Sequence, residues 1–190
     1  MIDFTPMRNK EKTLREIADG LTRADLLSLT NEMVDKQLGL IANAIDSDVT
    51  FIPTDPVAND TYAANPEDVN ISWTLGHVIV HTTASAEEGA ARALTLARGV
   101  EVKERSRYEV PYETVTTIAQ CRARLEESRR MRIAMLNAWP DQPHMENLFE
   151  TRSSGKINPI AVFVLGLSHD DSHLAQIAEI VRQAQAVGSH

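Results

Sequence analysis

The stretch NPIAVFVLGLSHDDSHLAQIAEIVRQAQA, residues 158–186, decides how the chain folds. Asn158 is a natural N-cap, and Pro159 suits the first helical position, where the missing N–H costs nothing. No further proline follows, and apolar side chains recur at three-to-four spacing, so the stretch predicts one long helix from Asn158 to about Ala186. On a wheel of about 100° per residue, His169 and His173 share the arc of Val162 and Ile180 and therefore point inward.

Working outward, the other segments have the same periodicity. Thr22, with Asp25 three residues on as a capping-box variant, opens a helix that runs to about Ile45. A short amphipathic piece from Lys10 to Ala18 precedes it as an accessory helix. Residues 46–71 hold Pro53, Pro56 and Pro66 among Asp and Asn and read as a long connection. Ser72 is the expected N-cap of a helix reaching Arg98, with Gly99 in the C-terminal position. A further helix spans about Thr114 to Trp139 and stops at Pro140. Its Arg122, Glu126 and Arg130 stand four apart, as solvent-facing ion pairs would. Residues 141–157 form another loop. Four long helices and no strand pattern predict an all-α chain: one four-helix bundle domain over residues 1–190.

Composition narrows the function. The 190 residues carry 27 acidic and 19 basic side chains, a formal charge of -8, and no long basic run, which disfavours nucleic acid as a partner. No apolar stretch approaches the roughly 20 residues needed to span a bilayer, so no membrane partner is expected. One cysteine, Cys121, excludes an internal disulfide, and the N-terminus lacks a secretory pattern, so a cytoplasmic location is expected. A homodimer is compatible with a bundle of this size.

The informative residues are the histidines. Of six, four form pairs one helical turn apart, His77 with His81 and His169 with His173. Roughly 0.15 such pairs are expected by chance. His77 and His81 lie at the edge of the arc of Leu75, Val78, Ile79 and Ala86, with Ser85 and Glu88 continuing the stripe. A buried imidazole needs a partner, and bundle cores commonly hold metals between facing helices. Hydrogen-bonded boundary histidines are the bland alternative. The zincin motif is excluded, since the pairs read HVIVH and HDDSH. The di-iron Glu-x-x-His pattern is also excluded, because Thr74, Val78, Gly166 and Asp170 stand three residues before the histidines. His144 and His190 carry no pattern and read as solvated.

The segment ISWTLGHVIVHTTASAE at 71–87, with LSHDDSHLAQIAEI at 167–180, resembles the DinB/YfiT-like superfamily of metal-dependent enzymes. The correspondence rests on Trp73, His81 eight residues later, the pair His169 and His173, and Gln176 and Ile177 after it. The resemblance implies an up-down-down-up four-helix bundle holding one divalent metal, zinc or nickel, at His81, His169 and His173, with an open position for a further ligand. Members with an assigned reaction use low-molecular-weight thiols, as in bacillithiol S-transferases and mycothiol-dependent maleylpyruvate isomerase, and a related domain takes part in ergothioneine biosynthesis. Many others have no assigned reaction.

The implied function is metal-dependent activation of a small thiol cosubstrate for S-transfer to an electrophile, a small-molecule substrate. Hydrolysis by metal-activated water is the nearest rival, and a non-catalytic metal-stabilised bundle or stress-response binding module is the alternative of another class. His77 is the candidate fourth ligand, which would close the shell and favour a structural site. Glu88 and Asp170 are candidates for a general base or for orienting a ligand imidazole, with surface solvation as the alternative. Trp73 reads as a packing residue, and Arg107, Tyr112 and Arg152 are candidate pocket residues.

Overall fold

A computed structural model of the chain describes residues 1–60, 66–103, 107–152 and 154–188. Seven α-helices occur among them: α1 (Thr5–Arg8), α2 (Leu14–Ala18), α3 (Arg23–Leu40), α4 (Asp46–Val49), α5 (Leu75–Ala97), α6 (Ile118–Asn137) and α7 (Pro159–Gly188). The four long ones, α3, α5, α6 and α7, form the bundle.

Capping chemistry sets their starts. Thr22 and Asp25 close a capping box at α3, and Thr117 with Gln120 does the same at α6. The Asn158 side chain accepts from the Ala161 N–H at the start of α7. The second bundle helix opens later than the sequence suggests: Thr74, not Ser72, takes the cap, its hydroxyl accepting from the His77 N–H. Gly99, at φ 77°, carries the left-handed turn beyond its end.

Other boundaries shift as well. α3 ends at Leu40 rather than Ile45, the third bundle helix begins at Ile118 rather than Thr114, and α7 continues to Gly188. The accessory helix shrinks to α2, capped by Thr13, and α1 was not anticipated. Nor was the small antiparallel hairpin of β1 (Phe149–Thr151) and β2 (Gly155–Ile157). Its strands are too short to show period-two alternation.

Contacts fix the topology. His81 meets His169, while Gly89, farther along α5, lies against Val162 and Gly166, so α5 and α7 are antiparallel. Arg124 hydrogen-bonds Thr83 and pairs with Glu87, and Val115, just before α6, lies on Gly76 at the start of α5, making α5 and α6 parallel. Arg129 pairs with Asp35, whereas Arg122 reaches the carbonyls of Ile41 and Ala42, so α6 is antiparallel to α3. The order is therefore up-down-down-up.

The α6 charges thus work differently from the expected ladder. Arg122 caps the carbonyl end of α3, and Glu126 pairs with Arg129 three residues on. Two groups of buried apolar residues fill the bundle. One gathers around Leu26, Met33, Leu136 and Phe163, the other around Val34, Ile41, Ile79 and Leu125. No helix among the described residues is long and apolar enough to cross a membrane.

Candidate metal centre

The cap at Thr74 places His77 and His81 on the first two turns of α5, and the uninterrupted run of α7 carries His169 and His173 past them. Small residues allow the approach. A Cβ on Gly89 would lie 3.6 Å from the Gly166 Cα, and one on Gly166 would lie 3.5 Å from the Ala86 Cα, so the backbones of α5 and α7 nearly touch beside the histidines.

His81, His169 and His173 each offer a ring nitrogen, and the three atoms lie within 4.8 Å of one another. The Nε2 atoms of His81 and His169 are 3.1 Å apart. His173 donates its Nδ1 proton to the Gln176 side-chain oxygen at 2.8 Å, which leaves its Nε2 lone pair free. The Nδ1 of His81 stands 3.0 Å from Arg107 Nη2 and 3.3 Å from Glu109 Oε1. His169 Nδ1 is buried with no partner among the described residues.

Electrostatics favour the neutral form of His169 and His173. Burial, reinforced by the neighbouring imidazoles, pushes His169 down to about 3, and burial lowers His173 as well. The hydrogen bond to His81 and the Arg107 charge hold the Glu109 carboxyl below its ordinary value. Neutral imidazole is the form that ligates a metal. The donor set, three imidazole nitrogens converging from two packed helices, fits a borderline divalent ion such as zinc.

A family model described as the DinB superfamily matches residues 18–177. The chain belongs to the DinB superfamily. Searches of curated proteins and of solved structures each returned no match. For this DinB-superfamily chain, the matched span contains α3, α5 and α6, the part of α7 up to Ile177, and all three clustered histidines.

The histidines open onto a cleft of about 1580 Å³ between α5, α7 and the loop at 53–60. His77 lines the same cleft but stands outside the histidine cluster. Its ring stacks between Trp73 (4.4 Å between centroids) and Tyr112 (4.0 Å, nearly parallel), which points to packing rather than a fourth ligand. Trp73 also covers His81 at 4.6 Å. It is a packing residue, as expected, and what it packs against is the histidine site.

The two candidate carboxylates part company. Glu88 faces the cleft, with Arg92 2.7 Å away. Asp170 turns away from it and lies 2.7 Å from Arg132 of α6, so it is placed neither to act as a base in the cleft nor to orient a ligand imidazole. The reason is angular: one residue along α7 from His169 is about 100° around the helix, toward α6 and α3. Arg107 does reach the cleft, Tyr112 acts through the His77 stack, and Arg152 is exposed on the hairpin, outside it. His144 is exposed and pairs with Glu146, while His190 lies outside the described residues. Glu109 was missed. It sits in an irregular segment where periodicity carries no signal.

Proposed function

We propose that this chain is a metalloenzyme that holds one divalent metal, zinc or nickel, at His81, His169 and His173 and activates a small thiol for S-transfer to an electrophile. The observation that carries the reading is the opening of three converging imidazoles onto a large cleft. A structural site would instead be closed by four protein ligands. A bound divalent ion would supply Lewis acidity, lowering the pKa of a thiol placed beside it.

The chain's own residues do the rest. Gln176 holds the His173 proton and so aims that ring. Trp73 shields the ligand cluster from water on one side. Glu88 and Arg92 present paired charges on the cleft wall for the polar ends of a substrate. Cys121 is fully buried and its thiol is pushed up to about 12, so it is no nucleophile at neutral pH, and the reacting sulfur arrives with the cosubstrate.

Hydrolysis is the weaker reading. Glu88 stands seven residues from His81, about 10 Å along the helix axis, which is far for a base acting beside the metal. Protein purified without chelator should contain close to one equivalent of zinc or nickel and, in titration calorimetry, should bind low-molecular-weight thiols only when metal is present. A folded preparation that retains no metal and takes up none defeats the proposal.

A further inference from the structure

The Nδ1 atom of His81 has two neighbours that make opposite demands on it. Arg107 Nη2, at 3.0 Å, can only donate, whereas Glu109 Oε1, at 3.3 Å, can only accept. A neutral ring satisfies one of them at a time, and the choice fixes the other nitrogen. If Nδ1 accepts from Arg107, the ring proton sits on Nε2, aimed at His169 Nε2 3.1 Å away, and both nitrogens are taken up by that N–H···N bond. If Nδ1 donates to Glu109, Nε2 presents a lone pair toward the His169 ring, the form in which it can ligate a cation.

Building on the three-histidine reading, we propose that Glu109 is the positioning residue for His81: it holds the Nδ1 proton and so turns the Nε2 lone pair toward the metal, while Arg107 stabilises the opposite tautomer in metal-free protein. The two competitors are tied together. Arg107 Nη2 lies 2.9 Å from Glu109 Oε2 and 3.3 Å from the His81 carbonyl, which pins the segment around them to α5. The carboxylate therefore stays within reach of the ring whichever tautomer is present. Metal uptake moves the ring proton from Nε2 to Nδ1 and exchanges the Arg107 contact for the Glu109 one, without changing the ring's charge.

Competition titrations against a chromophoric zinc chelator on the wild type, Glu109→Ala and Glu109→Asp, with long-range ¹H–¹⁵N histidine spectra of metal-free and zinc-loaded wild type, test this. Glu109→Ala should weaken zinc binding roughly 10–100-fold, and Glu109→Asp should recover part of the loss because a carboxylate remains. His81 should be protonated at Nε2 without metal and at Nδ1 with it. Zinc affinity of Glu109→Ala within about threefold of wild type, or a zinc-loaded His81 lacking the Nδ1 proton, overturns the assignment. Folded wild type that binds no zinc overturns the three-histidine reading itself, so the two failures are distinguishable.

Discussion

Arg132 of α6 reaches across the bundle to Asp170 of α7, 2.7 Å from guanidinium to carboxylate, with side-chain exposures of 2% and 1%. A charge pair this deep has given up its hydration, so each partner depends on the other. Arg132→Met should therefore cost about 3–5 kcal/mol by leaving a buried carboxylate uncompensated. The double variant Arg132→Met/Asp170→Leu should recover much of that loss. Urea unfolding of the three proteins measures both, and a single variant as stable as wild type contradicts the account.

The same pair gives a pH signature. Burial raises the Asp170 carboxyl from its ordinary 3.8 to about 6, against the pull of Arg132. The folded state therefore holds this proton more tightly than the unfolded chain does. The contribution is fully present below pH 4 and is lost as pH rises toward 6. The stability of Asp170→Asn relative to wild type should accordingly climb between pH 4 and 6 and level off on either side. A flat difference across that interval would show that the carboxylate is ionised throughout.

His169 acts in the opposite sense. Its ring resists protonation down to about 3, whereas the unfolded chain takes up the proton near the ordinary 6.5. Acid thus favours unfolding of the metal-free protein as pH falls below 6.5. His169→Gln should show a shallower decline in stability between pH 6 and 4. Thermal melts in matched buffers compare the slopes, and equal slopes would mean that the ring protonates freely in the folded state.

His77 tests the ligand count. Because its ring is stacked between Trp73 and Tyr112, His77→Leu should leave the zinc stoichiometry at one and shift affinity far less than His169→Ala, which should abolish binding. Metal titration of both variants decides this. Loss of zinc from His77→Leu would restore the four-ligand shell.

Two glycines should respond in opposite directions to alanine. A Cβ on Gly76 would sit 2.6 Å from the Val115 carbonyl oxygen, a backbone atom that must move, so Gly76→Ala should destabilise by about 1–3 kcal/mol. Gly39, in the last turn of α3, has nothing within 4 Å of such a Cβ, and Gly39→Ala should be neutral to stabilising by about 0.5–1 kcal/mol. Denaturation midpoints give the signs.

Much of this was legible in the sequence because it depends on spacing. The four-residue interval in each histidine pair, the cap at Asn158 and the capping box at Thr22 are local features, and the bundle follows from burying the stripes they delimit. Angular choices between neighbours were less legible. His169 and Asp170 are adjacent, yet one faces the cleft and the other the α6 interface, and only the packed partner helices decide which carboxylate is near the site. Glu109 shows the remaining gap, since a contact from an irregular segment depends on the path of the chain and leaves no period to read. Ser72 and Thr74 are both good caps by residue type, and only the structure shows that Thr74 takes the role.

The near-contact of Gly89 with Gly166 has a consequence for how metal enters. Because the backbones of α5 and α7 approach this closely beside the histidines, the helices that carry the proposed ligands are held together by contacts that need no ion. On the proposal that Glu109 holds the His81 proton, loading would need a proton to move within a ring and side chains to adjust, not a folding event, in contrast to a zinc finger, whose fold exists only with its metal. If the three histidines hold a metal as proposed, such a scaffold should stay folded when the ion is removed, and the divalent metal it carries would follow the supply around it.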